Sequence, residues 1–138
     1  MTEMRDERFA AEIRIESAAG GRRSVQTASG TVFVKRGGWY LRYEENLDAL
    51  GRSVNTVKIA PDGLKIIRRG AIESEMIFVV GRKTSGWLRT ANFAAGLEVK
   101  CTEIRVDFHE GRGTVAWAYE LSVDGTEPEF FRVKISVS

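Results

Sequence analysis

From Arg8 to the C-terminus the chain alternates apolar and polar residues with a period of two, in short runs separated by glycine-rich punctuation. The closing run is the clearest: Phe131, Val133, Ile135 and Val137 share one parity, and Arg132, Lys134, Ser136 and Ser138 the other. A β-strand with one buried and one wet face has this signature, because successive side chains leave the backbone on opposite sides. The same pattern runs through Phe9, Ala11, Ile13 and Ile15 near the start, and through Val115, Trp117, Tyr119, Leu121 and Val123. No stretch of helical length carries a 3.6-residue period with caps, so the pattern predicts an all-β, antiparallel domain.

The punctuation divides the chain into extended segments at 8–17, 24–36, 39–44, 53–60, 64–69, 72–80, 87–93, 97–108, 114–123 and 130–138. Gly37-Gly38, Glu110 to Gly113 and Asp124-Gly125 read as hairpin turns, and Pro61 to Gly63 as a turn in which proline presets φ and glycine supplies a positive φ. Ser29-Gly30 predicts a bend or bulge inside the second segment. Residues 46–52 are the least strand-like stretch and read as a loop. Between Leu97 and Phe108 the apolar parity switches, from Leu97, Val99 and Cys101 to Ile104, Val106 and Phe108. A bulge near Thr102-Glu103 would keep both sets on the core side. Eight to ten strands joined by tight turns predict an up-and-down meander closed into a barrel, with a sandwich as the alternative.

Length and composition narrow the reading without changing it. A chain of 138 residues suits one domain spanning 1–138, its charged start (1–7) expected to be flexible, and at this size roughly 70% of the unfolded surface can be buried. The single cysteine, Cys101, excludes an intrachain disulfide and lies on the apolar parity, where an inert buried thiol is expected. With no apolar leader and no membrane-spanning run, the expected address is the cytoplasm. A formal charge of +2 is too small to imply a polyanion partner. Arginine outnumbers lysine fifteen to six, however, and often sits beside glycine, as at Gly21-Arg22, Arg36-Gly37, Gly51-Arg52, Arg69-Gly70 and Gly81-Arg82. Arginine's planar fork is suited to phosphate and carboxylate, although exposed turns collect the same residues for no ligand's sake.

Catalytic chemistry finds little footing. His109 is the only histidine, which excludes paired-histidine metal sites, and it lies at the mouth of a turn where a solvated side chain is expected. No metal site, cofactor motif or catalytic set is predicted, and the glycine-rich turns form neither a Walker loop nor a dinucleotide fingerprint. Two features stand out. Arg68 shares the parity of Leu64 and Ile66; if that face looks inward, a guanidinium enters the barrel and requires an internal acid or an anionic ligand. If Ile67 defines the inward face instead, Arg68 is exposed. Trp39, Tyr40, Tyr43, Trp87, Trp117 and Tyr119 also gather on strands, either as core or as the wall of a ligand cavity with the Tyr43 and Tyr119 hydroxyls as polar tips.

The segments 39–45, 55–59, 67–71 and 78–81, in this order, with 96–102 and the closing hairpin 113–137, resemble the YwiB-like family of small bacterial proteins. The likeness spans residues 25–137. It implies a lipocalin-like (calycin) closed barrel of about eight strands and a cytoplasmic protein, and it brings no characterised activity. By position Tyr40, Tyr43, Glu44, Thr56, Lys58 and Arg68 correspond to the family's recurring pattern and are the candidate ligand-binding residues. The leading expectation is a non-enzymatic binding module for a small anionic ligand, anchored by Arg68 or Lys58, with no nucleic-acid or membrane partner, acting as a monomer or homodimer. The alternative is an interaction module whose Arg/Gly turns meet RNA or an acidic protein face. An enzyme dependent on His109 is the weakest reading.

Overall fold

A computed structural model describes residues 7–46 and 50–138. Among the described residues there are ten strands: β1 (Glu7–Ala19), β2 (Arg22–Lys35), β3 (Gly38–Asn46), β4 (Arg52–Ala60), β5 (Gly63–Gly70), β6 (Glu73–Phe78), β7 (Lys83–Arg89), β8 (Ala94–His109), β9 (Arg112–Val123) and β10 (Glu129–Val137). Each pairs antiparallel with its chain neighbours, and β1 pairs with β10 to close the barrel. The alternation therefore delivers the fold, with ten strands where the family likeness implies about eight. Of the predicted flexible start, residues 1–6 lie outside the described residues and Glu7 already belongs to β1. The predicted 46–52 loop likewise falls partly on undescribed positions, 47–49.

Antiparallel order places the β1–β2, β3–β4, β5–β6, β7–β8 and β9–β10 connections at one end, here the upper end, and the other four at the lower end. Ile13, Val32, Leu41, Val57, Phe78 and Val99 fill the middle of the interior, each 1% exposed or less. Burying a side chain of this kind is worth roughly 1.5–3 kcal/mol, which makes the interior the main source of stability. Charged residues such as Arg14, Glu12 and Lys134 occupy outward positions, the reverse of a strand pattern that faces lipid. Among the described residues no helix is long and apolar enough to cross a membrane.

Local details confirm and correct the sequence reading. The β8–β9 register shifts between Cys101 and Glu103, so Cys101 and Ile104 both face inward across a bulge. The β1–β2 register runs unbroken through Ser29-Gly30, so no bulge falls there, and glycine is needed because a Cβ would collide with Ile13 Cδ1 and lie 2.6 Å from the Arg42 carbonyl oxygen. Nor does Gly63 take a positive φ; the requirement is space, since a Cβ would stand 2.5 Å from the Phe78 carbonyl oxygen. The seventh strand begins at Lys83, four residues before the expected start, and ends at Arg89. Its first half lacks apolar alternation, and Gly86 lets it run close to the Glu75 carbonyl.

Candidate functional site: a charged cluster in the upper mouth

Three strands carry polar residues on their inward parity as they approach the upper end. On β3 the series Leu41, Tyr43, Glu45 points inward, on β4 Ile59, Val57, Asn55, Ser53, and on β5 Leu64, Ile66, Arg68. Register then sets Tyr43 beside Asn55, Asn55 beside Arg68, and Arg68 beside Ser74. The result is a polar row across four strands, directly above the apolar interior.

Arg68 resolves the parity question in favour of the inward face, and an internal acid meets it. Its Nε lies 3.1 Å from Glu45 Oε1 and donates to Asn55 Oδ1 at 3.2 Å. Asn55 Nδ2 donates to the same Glu45 oxygen at 3.0 Å, and Gln26 Nε2 reaches Glu45 Oε2 at 3.4 Å. Glu45 and Asn55 are buried, whereas the Arg68 side chain keeps 28% of its surface exposed. Among the described residues the two Nη nitrogens of Arg68 have no protein partner. Ser53 Oγ donates to the Ile72 carbonyl and accepts from the Ile72 N–H, tying the β5–β6 turn to β4.

Two buried phenols belong to the same field. Burial pushes the Tyr43 hydroxyl up to about 12, with the Glu45 carboxylate adding to the rise and Arg68 opposing it. Burial likewise pushes Tyr119 up to about 12 against the opposing pull of Arg68. The Tyr119 ring packs 4.7 Å from Phe78 and stacks on Phe131 at 5.2 Å. The arrangement can hold an acceptor-rich group against the open edge of a guanidinium whose inner edge is already fixed.

The six sequence-derived candidates divide. Tyr43 and Arg68 meet inside the barrel. Tyr40, Glu44, Thr56 and Lys58 lie on the outer wall, because each is one residue out of phase with the inward series on its strand. Lys58 pairs in register with Tyr40 and sits 5.3 Å from that ring's centroid, so it is no interior anchor. Trp87 also faces outward, between Arg69 and Arg89. Glu45, Asn55 and Ser74 were not among the candidates, although the parity rule that exposes Arg68 exposes them too. The Arg/Gly turns fall at both ends, Arg22, Arg52 and Arg69 above and Arg36, Arg82 and Arg112 below, and form no common surface. His109 is solvated and 3.5 Å from Asp107. No cluster of three or more metal-ligating side chains occurs among the described residues. Cys101 is buried, and burial raises its thiol.

Fold and site together define a closed antiparallel β-barrel with an apolar interior and an internal ion pair at one mouth. The chain belongs to the family described as Domain of unknown function (DUF1934), whose profile matches residues 11–135. It is 30% identical over 101 residues, 73% of this chain and 70% of the relative, to the uncharacterized β-barrel protein YwiB of Bacillus subtilis (strain 168). The crystal structure of the ywiB protein from Bacillus subtilis matches this fold with a TM-score of 0.79 at 22% identity, covering 96% of this chain and 92% of that one.

Proposed function

We propose that the barrel is a non-catalytic cytoplasmic binding module that takes a small anion, a carboxylate or phosphate, at its upper mouth with Arg68 as the anchor. The observation that carries this reading is the division of the Arg68 guanidinium: Nε is held by Glu45 and Asn55, while the Nη edge has no hydrogen-bond partner among the described residues and the side chain is 28% exposed. An arginine fixed along one edge is preorganised for bidentate recognition along the other. Glu45 neutralises the cation and repels an incoming anion, so the affinity is modest and selective for groups that also accept from the Tyr43 or Tyr119 hydroxyl. The same engagement of Glu45 by three donors argues against its use as a general base.

The test is calorimetric titration of the protein with inorganic phosphate and a set of small mono- and dicarboxylates, repeated on Arg68→Met and Lys58→Met. The reading requires at least one anion to bind the parent, to lose tenfold or more on Arg68→Met, and to be indifferent to Lys58→Met. Equal binding by Arg68→Met, or no binding across the set, refutes it.

A further inference from the structure

A second feature lies outside the barrel wall, on the side opposite the strands that build the mouth. Register aligns Arg23, Ala18, Arg132, Ala118 and Glu103 in one row across β2, β1, β10, β9 and β8. The next outward row, two residues along each strand, reads Val25, Glu16, Lys134, Ala116 and Arg105. Because alanine occupies the positions between the long side chains, the two rows enclose a trough of about 570 Å³ running across the strands. Five strands at about 4.8 Å spacing make it roughly 19 Å long, and one two-residue step makes it about 7 Å between rows.

Cations dominate its rims. Arg14, Arg23, Arg105, Arg132 and Lys134 face two carboxylates, Glu16 and Glu103. Glu103 is shared between Arg105 at 2.6 Å and Arg132 at 3.8 Å, and Glu16 is held by Arg14 at 3.2 Å. Arg23 and Lys134 have no ion-pair partner among the described residues. The modest net charge of the chain thus conceals a local excess of three positive charges on one face.

We infer that this trough binds a single-stranded nucleic acid, its phosphates between the two cationic rows. Four of the five cations are arginines, the side chain whose fork matches phosphate oxygens. Phe130, two residues from Arg132 on the same outward face, is 44% exposed, with the Arg132 guanidinium 5.5 Å from its ring centroid. An exposed ring under a guanidinium beside a cationic groove is a platform for a base to stack on. The single-step width fits one phosphate backbone and not the two of a duplex.

Fluorescence anisotropy of 5′-labelled dodecamers of uridylate and thymidylate tests the inference. Saturable binding of at least one oligomer is expected in 50 mM salt. Neutralising three to four phosphates weakens it roughly 20- to 50-fold in 200 mM salt. Arg23→Glu/Lys134→Glu lowers affinity at least tenfold and Phe130→Ala a few-fold, while Lys58→Glu/Lys65→Glu, which changes net charge equally on the far wall, binds as the parent does. Absence of binding in 50 mM salt, equal loss in the far-wall variant, or displacement of the oligomer by polyglutamate at matched charge concentration overturns it, the last in favour of an acidic protein partner.

Discussion

Replacing Glu45 by alanine removes one carboxylate and orphans three partners, the Arg68 guanidinium, the Asn55 amide and the Gln26 amide. Breaking a buried ion pair costs about 3–5 kcal/mol, and leaving a buried amide donor unpaired costs about 1–3 kcal/mol. Water reaches the Arg68 side chain, which is 28% exposed, and recovers part of the first cost. Asn55, 1% exposed, has no such relief. The expected loss is about 3 kcal/mol, which lowers Tm by about 10 °C in a chain of this size. A different outcome follows if the whole cluster is made apolar: Glu45→Leu/Asn55→Val/Arg68→Met leaves only the part-exposed Gln26 amide without its partner, where water reaches it, and stays within about 1 kcal/mol of the parent. Urea unfolding followed by tryptophan fluorescence measures both, provided the slope m is unchanged. A loss below about 1 kcal/mol for Glu45→Ala, or a triple variant as unstable as the sum of its singles, refutes the coupling.

The other predictions are independent of that cluster's energetics or probe it by another route. Tyr43 and Tyr119 each rise from 10.0 to about 12 in the folded state, so their contribution is complete below pH 10 and is lost as pH climbs through about 12. Tyr43→Phe/Tyr119→Phe, unfolded in urea between pH 9 and 11.5, accordingly loses less stability than the parent; an identical decline refutes the assignment. Cys101, 1% exposed, reacts with an aromatic disulfide reagent at least about a hundredfold more slowly in native protein than in urea, and comparable rates show the thiol to be accessible. Trp117 Nε1 is buried with no hydrogen-bond partner. Trp117→Phe therefore stays within about 1 kcal/mol of the parent, relief of the unpaired donor offsetting lost packing, while Trp117→Ala costs about 3–5 kcal/mol; equal costs on thermal unfolding disprove the offset.

Much of the wall was legible in the sequence because alternation with period two is written by burial itself. Even the bulge between Cys101 and Glu103 showed as a change of parity. The early start of β7 did not show, because Lys83 to Gly86 owe their strand conformation to backbone pairing with Leu97 to Lys100 of β8 and not to apolar alternation. Within the mouth, Tyr43 and Arg68 were found by family position and parity. Glu45 and Asn55 were overlooked although they continue the inward series of Leu41 and Val57, since a polar residue at a core position is naturally read as the end of the pattern. Tyr40, Glu44, Thr56 and Lys58 miss the interior by a single residue of phase, which no family position alone can reveal. The outer trough depends on five-strand register, and register across β1 and β10 exists only once the barrel is closed.

That closure also sets the order in which the molecule can assemble. Of the described strand pairings, only the seam of seven residue pairs joining Ile13–Ala19 to Phe131–Val137 links strands distant in the chain. Every other pairing is a hairpin, available as soon as two successive strands exist. Bringing residues about 120 positions apart together costs roughly 3 kcal/mol more chain entropy than closing a tight turn. The seam is thus the last joint to form, after a curled sheet has grown from its neighbours. Until it zips, β1 and β10 are raw edges with Ile13, Ile15, Val133 and Ile135 uncovered, and a second chain in the same condition offers each of them a matching edge.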